Sequence, residues 1–233
     1  MSALLDYRLS DLLLFSPEIY ERLLLRYNET IFPLHLPMLG LGAILLLLIL
    51  RDKGANQRLA GAILAIGWLW CGLIFHITYY DSINWMADYF AAVFLLQALL
   101  LMLWGYAAPH GTLVLPSPHA SRWLTYAGGA LVGLAVFVHP FFVLVEGRSL
   151  AASATFGSHP APTIIATLGV MLALPTRWYS ITFLSVLMLA VSGLTAEALG
   201  SPVALLYGLI GVSSFIALVG FMWGSLRHRF GQS

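Results

Sequence analysis

Eight ionisable side chains sit in or beside the apolar runs of this sequence: His35, His76, Asp81, Asp88, His139, Glu146, His159 and Glu197. Imidazole and carboxylate together can hold a divalent metal ion or pass a proton. In an apolar setting such groups are costly, and they usually face a protein interior or a watery cavity. The setting here is apolar. Of 233 residues, 60% are hydrophobic and 9% charged, against about 25% charged in a soluble domain. Lipid is therefore the expected solvent for much of the chain.

A membrane-crossing helix needs about 20 apolar residues. Runs of that kind cover Ile31–Leu50, Leu59–Tyr80, Met86–Ala107, Trp123–Val145, Ile181–Leu199 and Val203–Gly224, and a shorter one covers Pro160–Pro175. The expected fold is all-α, a polytopic membrane bundle of seven transmembrane helices, or six if the short fifth span is re-entrant. Residues 1–30 form an arm, 31–224 the bundle and 225–233 a tail. With the N-terminus outside and seven crossings, the cytoplasm receives Arg51, Lys53, Arg58, Arg122, Arg177, Arg227 and Arg229. The outside receives Arg8, Arg22, Arg26 and Arg148. That bias follows the positive-inside rule, and it reverses if the short run does not cross. In the arm, Ser16-Pro17-Glu18 reads as a capped helix start. Ile19, Tyr20, Leu23, Leu24 and Tyr27 then fall on one face, so an amphipathic helix on the outer surface is expected. The first residues have no basic segment ahead of an apolar run, so no cleaved leader is expected.

This topology brings all eight ionisable residues to the outer third of the bundle, which implies a polar vestibule open to the outside. Several have a purely local alternative. Asp81 and Asp88 flank a tight connection and suit turns and helix starts. Glu146 with Arg148 suits a solvated loop pair. Glu197, near a helix end, can reach headgroup water. His76 and His139 lie deeper and at similar depth, and His139 precedes the helix-kinking Pro140. At Ser158-His159-Pro160-Ala161-Pro162-Thr163, a proline-started short span enters the bundle, with Ser158 able to cap it. Pro33 and Pro37 bracket His35 in the first span. Gln97 is placed to bond across a helix interface, and Gly128, Gly129, Gly133, Gly208 and Gly211 to allow close helix approach. The candidate ligand-binding set is His35, His76, Asp88, His139, His159, Thr163 and Glu197. His76, His139 and Asp88 are the candidates for metal.

Some functions are excluded. Lys53 is the one lysine and lies in a loop, so no retinal Schiff base forms inside the membrane. Cys71 is the one cysteine, so there is no disulfide framework or cysteine zinc motif. The scattered basic residues form no nucleic-acid face. His76 and His139 could ligate one haem, without the histidine pair of a cytochrome b helix.

Three stretches carry a resemblance. They are Pro17…Tyr27-Asn28…Phe32-Pro33, then Trp68-Leu69-Trp70-Cys71-Gly72…Phe75-His76…Tyr79-Tyr80…Ile83-Asn84, and Phe156-Gly157…Pro160-Ala161-Pro162-Thr163…Thr167-Leu168-Gly169. Together they resemble a bacterial membrane family known as domain of unknown function 6064, over nearly the whole chain. The family's pattern often has a cysteine where this chain has Ala161. The resemblance implies a bacterial inner membrane, in which the charge bias puts the C-terminus in the cytoplasm, and adds weight to His76 and the His159–Thr163 segment. The leading expectation is a small transporter or carrier for a metal ion or small solute, with no catalytic residues. The alternatives are an accessory subunit of a larger complex with a membrane or periplasmic partner, and a metal- or haem-binding redox protein.

Overall fold

The computed structural model describes residues 13–51, 57–107, 118–174 and 178–230, and the side chains of all of these except 118–121 and 225–230. Arg8, Lys53 and Arg177, used in the charge count, lie outside the described residues, as do the side chains of Arg227 and Arg229. Nine α-helices follow one another along the described residues, which contain no strand. They are α1 (Pro17–Ile31), α2 (His35–Leu50), α3 (Gln57–Trp70), α4 (Ala87–Tyr106), α5 (Pro118–Gly133), the short α6 (Phe142–Val145), α7 (Pro160–Ala173), α8 (Tyr179–Ala198) and α9 (Ala204–Phe230).

Two of them continue in other helical forms. From α3 a π-helical stretch, Cys71–Tyr79, and a 3-10 turn, Tyr80–Ser82, extend the rod to 26 residues. From α5 a π turn, Leu134–Val138, leads through a 3-10 turn, His139–Phe141, into α6. The second change has a plain cause, because Pro140 has no N–H to give the turn before it. Five helical segments are long and apolar enough to cross a membrane: Gln57–Ser82, Ala87–Tyr106, Arg122–Val145, Tyr179–Ala198 and Ala204–Gly224. α1 and α2 meet that test only together, across a bend of 89° at Phe32-Pro33-Leu34. The first expected span therefore starts four residues late, at His35. The membrane-length count is five, or six with the bent pair.

α1 begins as its sequence requires. Ser16 accepts the Ile19 N–H at 3.4 Å, and Pro17 fills the first turn. Ser16 also bonds Glu18, whose carboxyl is held below its usual range by that contact first. The buried face is Leu23, Leu24, Tyr27, Asn28 and Ile31, while Ile19 is more than a third exposed. The buried stripe thus continues the expected face towards the helix C-terminus, with Tyr20 partly buried on it and Ile19 left outside.

α7 is the centre of the bundle. Its 14 residues rise about 21 Å, short of the roughly 30 Å hydrocarbon core. Eleven of them are buried against α5, α8 and α3, so the helix has little surface to match to lipid. α5 meets it at Gly128 and Gly169. A Cβ on Gly128 would stand 2.3 Å from the Gly169 carbonyl oxygen, and one on Gly169 would stand 2.6 Å from the Gly128 oxygen. No side chain fits between these backbones. Gly208 and Gly211, expected to act likewise, have open space beside them. Gln97 does bridge helices, donating to the Ile181 carbonyl at 2.9 Å and to Ser185 Oγ at 3.0 Å. Trp68 Nε1 donates to Thr167 Oγ1 at 2.8 Å.

The chain enters α7 through a buried segment with no helical ladder, Thr155–His159. Its polar backbone is satisfied by neighbours. The Gly157 N–H donates to Thr163 Oγ1 at 2.9 Å, and that hydroxyl donates to the His159 carbonyl at 2.7 Å. Tyr27 Oη donates to the Ser158 carbonyl at 2.6 Å and accepts from Trp70 Nε1 at 2.9 Å. Asn28 Nδ2 donates to the Ala151 and Ser153 carbonyls at 2.8 and 2.9 Å. Through these two adjacent residues α1 is fastened to this segment and to the stretch just before it. Gly157 has φ +79°, and a Cβ there would meet Met38 Sδ at 2.8 Å. Ser158 does not cap α7, contrary to expectation; His159 occupies the cap position and its side chain does not cap either.

Two stability outcomes follow from this packing. Gly128→Val should destabilise the protein by about 1–3 kcal/mol or more, while Gly208→Ala should change stability by less than about 0.5 kcal/mol. Tyr27→Phe leaves the Ser158 carbonyl and the Trp70 N–H without partners, a cost of about 1–3 kcal/mol. Thermal unfolding midpoints of the purified protein in detergent, compared across these variants, check both.

Candidate functional site

Helix order places the beginnings of α2, α4, α7 and α9 at one end of the bundle with the ends of α3, α6 and α8. α1 lies across that end. Between these termini is a cavity of about 410 Å³. α1 roofs it with Pro17, Tyr20 and Leu24, and Glu18 and Glu21 also border it. Three of the expected histidines line it: His76 from the π stretch after α3, His139 from the kinked α5–α6 rod, and His159 at the start of α7.

These three imidazoles differ in their hydrogen bonding. His139 is fully used. Its Nδ1 lies 3.2 Å from the Ala154 carbonyl, which can only accept, so Nδ1 carries the proton. Its Nε2 then accepts from Tyr207 Oη at 2.7 Å. A metal at His139 would have to displace one of these partners. The tautomer of His159 is also fixed. The Thr155 backbone N–H, which can only donate, points at Nδ1 from 3.1 Å. Nδ1 therefore holds a lone pair, and Nε2 carries the proton. That Nε2–H has no partner. His76 has none at either nitrogen. Its ring is 4% exposed and is surrounded by Phe75, Tyr80, Phe90 and Phe94, with centroids 4.7 to 5.7 Å away for Phe94, Phe75 and Tyr80, and 5.9 Å for Phe90. Phe75 also stands 5.8 Å from His159, so one phenyl ring separates the two unpartnered imidazoles.

The cavity rim carries charge, whereas its interior does not. Glu146 pairs with Arg148 and accepts from Ser201 Oγ, which ties the end of α6 to the start of α9. This pair, expected as a solvated loop feature, is half-buried. His35 lies on the far side of His159. It stacks with that ring at 6.4 Å, donates from Nε2 to Asn28 Oδ1 at 3.3 Å, and borders a second cavity of about 580 Å³.

Other expected members do not join the cavity. Asp88 and Glu197 are exposed, and neither lines it. Asp81 is exposed too. Thr163 is buried and serves the backbone of the α7 entry. Cys71 lies 3.7 Å from Thr163 Oγ1 and 3.9 Å from the Gly157 carbonyl, a packing position. Among the described residues, no three His, Cys, Asp or Glu side chains lie close enough together to hold a metal ion. Sequence reasoning missed Tyr207, which fixes His139, and the phenyl cage around His76. Aromatic residues in apolar spans are too common to mark either one.

No curated protein and no solved structure matches this chain. A family model does, across residues 17–232, from the first turn of α1 to the tail. The match takes in both stretches that fasten α1 to the α7 entry and the whole cavity lining. The chain belongs to that family, described as a family of unknown function (DUF6064).

Proposed function

We propose that this protein is a carrier for a small solute, bound in the cavity between the helix ends. The observation that supports this most directly is the pair of buried, unpartnered imidazoles bordering one cavity. An unsatisfied buried polar group costs about 1–3 kcal/mol. His76 is held among phenyl rings without a partner for either nitrogen, and His159 offers an Nε2–H to nothing in the protein. A fold keeps such groups where a ligand satisfies them. The cavity volume lies within the range of small-molecule sites, about 300–1,000 Å³.

The reading places the chain in a bacterial inner membrane with seven crossings and the cavity end outside. The charge bias supports that orientation: Arg51, Arg58 and Arg122 flank helix ends opposite the cavity. Burial of α7 within protein supports counting it as a crossing, because a helix surrounded by protein need not match the lipid thickness. α1 then lies at the outer surface as the cavity roof. Of the solutes the sequence permits, a neutral organic one suits the lining better than a metal ion.

Two measurements test this. Glu18→Cys at the exposed rim should react with a membrane-impermeant maleimide added to intact cells. Arg122→Cys should react only after permeabilisation, with buried Cys71 giving little background. The reverse pattern overturns the outward opening. Protein purified in native nanodiscs should also release a small molecule detectable by mass spectrometry, which His76→Ala loses while remaining monodisperse. That molecule should equilibrate across vesicles holding the wild-type protein and not across vesicles holding the variant. A wild-type protein that releases nothing, or release unaffected by the substitution, overturns the carrier reading.

A further inference from the structure

We infer that the cavity selects an uncharged, ring-bearing molecule with a carbonyl group, held by N–H donors of His159 and His76. This rests on the carrier reading and adds the chemical class of its ligand. Three features on the cavity wall determine that class.

The first is the proton on His159. The Thr155 amide fixes it on Nε2, so the ligand must present an acceptor there. The Thr155 hydroxyl and Ser158 Oγ, 2.6 Å apart, reinforce the arrangement, since Ser158 Oγ also lies 3.0 Å from Nδ1. The Thr155 amide and Ser158 Oγ thus hold the ring in one orientation, and the Thr155 hydroxyl holds Ser158. A cation or metal would meet an N–H instead of a lone pair.

The second is the absence of unpaired charge in the lining's interior. The cavity's charged side chains are Glu18, Glu21, Glu146 and Arg148. Glu18 and Glu21 are on the roof helix at the rim, and Glu146 pairs with Arg148. An anion or cation that went down to His76 would leave water without meeting an opposite charge, at a cost of several kcal/mol per ion. A neutral carbonyl gives up far less.

The third is shape. Phe75, Phe90, Phe94, Tyr80 and Phe142 line the cavity around the imidazoles. Flat aromatic walls favour a ring laid edge-on or offset against them. The orphan nitrogens have almost no accessible surface of their own in this structure. A ligand therefore reaches His76 by a small rotation of the imidazole within its phenyl cage, and reaches the held His159 ring when Phe75, which stands between the two imidazoles, turns aside. No backbone hydrogen bond opposes that rotation.

The test compares three probes of one shape on the full chain in nanodiscs, corrected for uptake by empty nanodiscs. Acetonaphthone carries a carbonyl, ethylnaphthalene replaces it with an apolar group, and naphthoate carries charge. Equilibrium dialysis should show acetonaphthone binding at least about tenfold more tightly than ethylnaphthalene, with naphthoate weakest. His76→Phe should shrink the first ratio, and without ligand its unfolding midpoint or that of the smaller His76→Leu should be no lower than that of the wild type, because two orphan nitrogens are gone. Equal binding of acetonaphthone and ethylnaphthalene, tighter binding of naphthoate, or binding of none of the three overturns the ligand class. A midpoint lowered in both His76→Phe and the smaller His76→Leu also overturns it, since it would give His76 a structural partner. Each of these failures leaves the carrier reading to the molecule released from native nanodiscs, so the two can fail separately.

Discussion

A stretch of backbone with no helical ladder, buried in the middle of a helix bundle, is the constraint around which this protein is built. Thr155–His159 has left the α5–α6 rod and has not yet begun α7. At membrane depth, irregular backbone survives only where protein satisfies it. Thr163 takes the Gly157 N–H and returns a proton to the His159 carbonyl, so α7 closes its own entrance. Tyr27 reaches from α1 to the Ser158 carbonyl, and Trp70 reaches from α3 to Tyr27. Three elements far apart in sequence thereby meet on one short segment. The position of the roof helix over the cavity follows from that meeting.

The close packing of α7 follows too. A short helix that begins deep in the bundle has to be surrounded by others, and Gly128 against Gly169 lets α5 approach to backbone contact. Gly67 does the same from α3, where a Cβ would stand 3.1 Å from the Gly157 Cα. Both contacts are made by glycines on elements that were readable as helices. Their partners on α7 and in its entry were not readable, because close approach is a property of pairs. Gly208 and Gly211 also lie within a long apolar helix, and a Cβ on either would meet nothing within 4 Å.

Hydropathy made the helices legible to within a few residues, since long apolar runs have one structural solution in lipid. It failed at the start of α2, where Phe32-Pro33-Leu34 bends the chain by 89° within an unbroken apolar run. Hydropathy is blind to such a bend. The site was half legible. The gathering of His76, His139 and His159 follows from antiparallel alternation of spans, and the structure brings these three to one cavity. Asp88 and Glu197 share their end of the bundle but lie on outward faces, and depth along a helix axis carries no information about rotation around it. The π stretch that carries His76 had no sequence signal. It has no proline, and Thr78 Oγ1 bonds back five residues to the Leu73 carbonyl at 3.1 Å, matching the wider turn.

That π stretch explains why two histidines at similar depth have opposite fates. Each lies at or just after a widened turn, and such turns recur at functional sites. At His139 the cause is local: Pro140 interrupts the ladder, and the ring then finds a carbonyl on one side and Tyr207 on the other. Its chemistry is spent on holding α9 to the α5–α6 rod. At His76 no neighbour competes for the ring, and Phe75, Tyr80, Phe90 and Phe94 pack around it instead. An all-carbon side chain of the same size would fit that cage at lower cost. Fold stability therefore gives no reason for an imidazole at residue 76, and the proposed ligand would supply one.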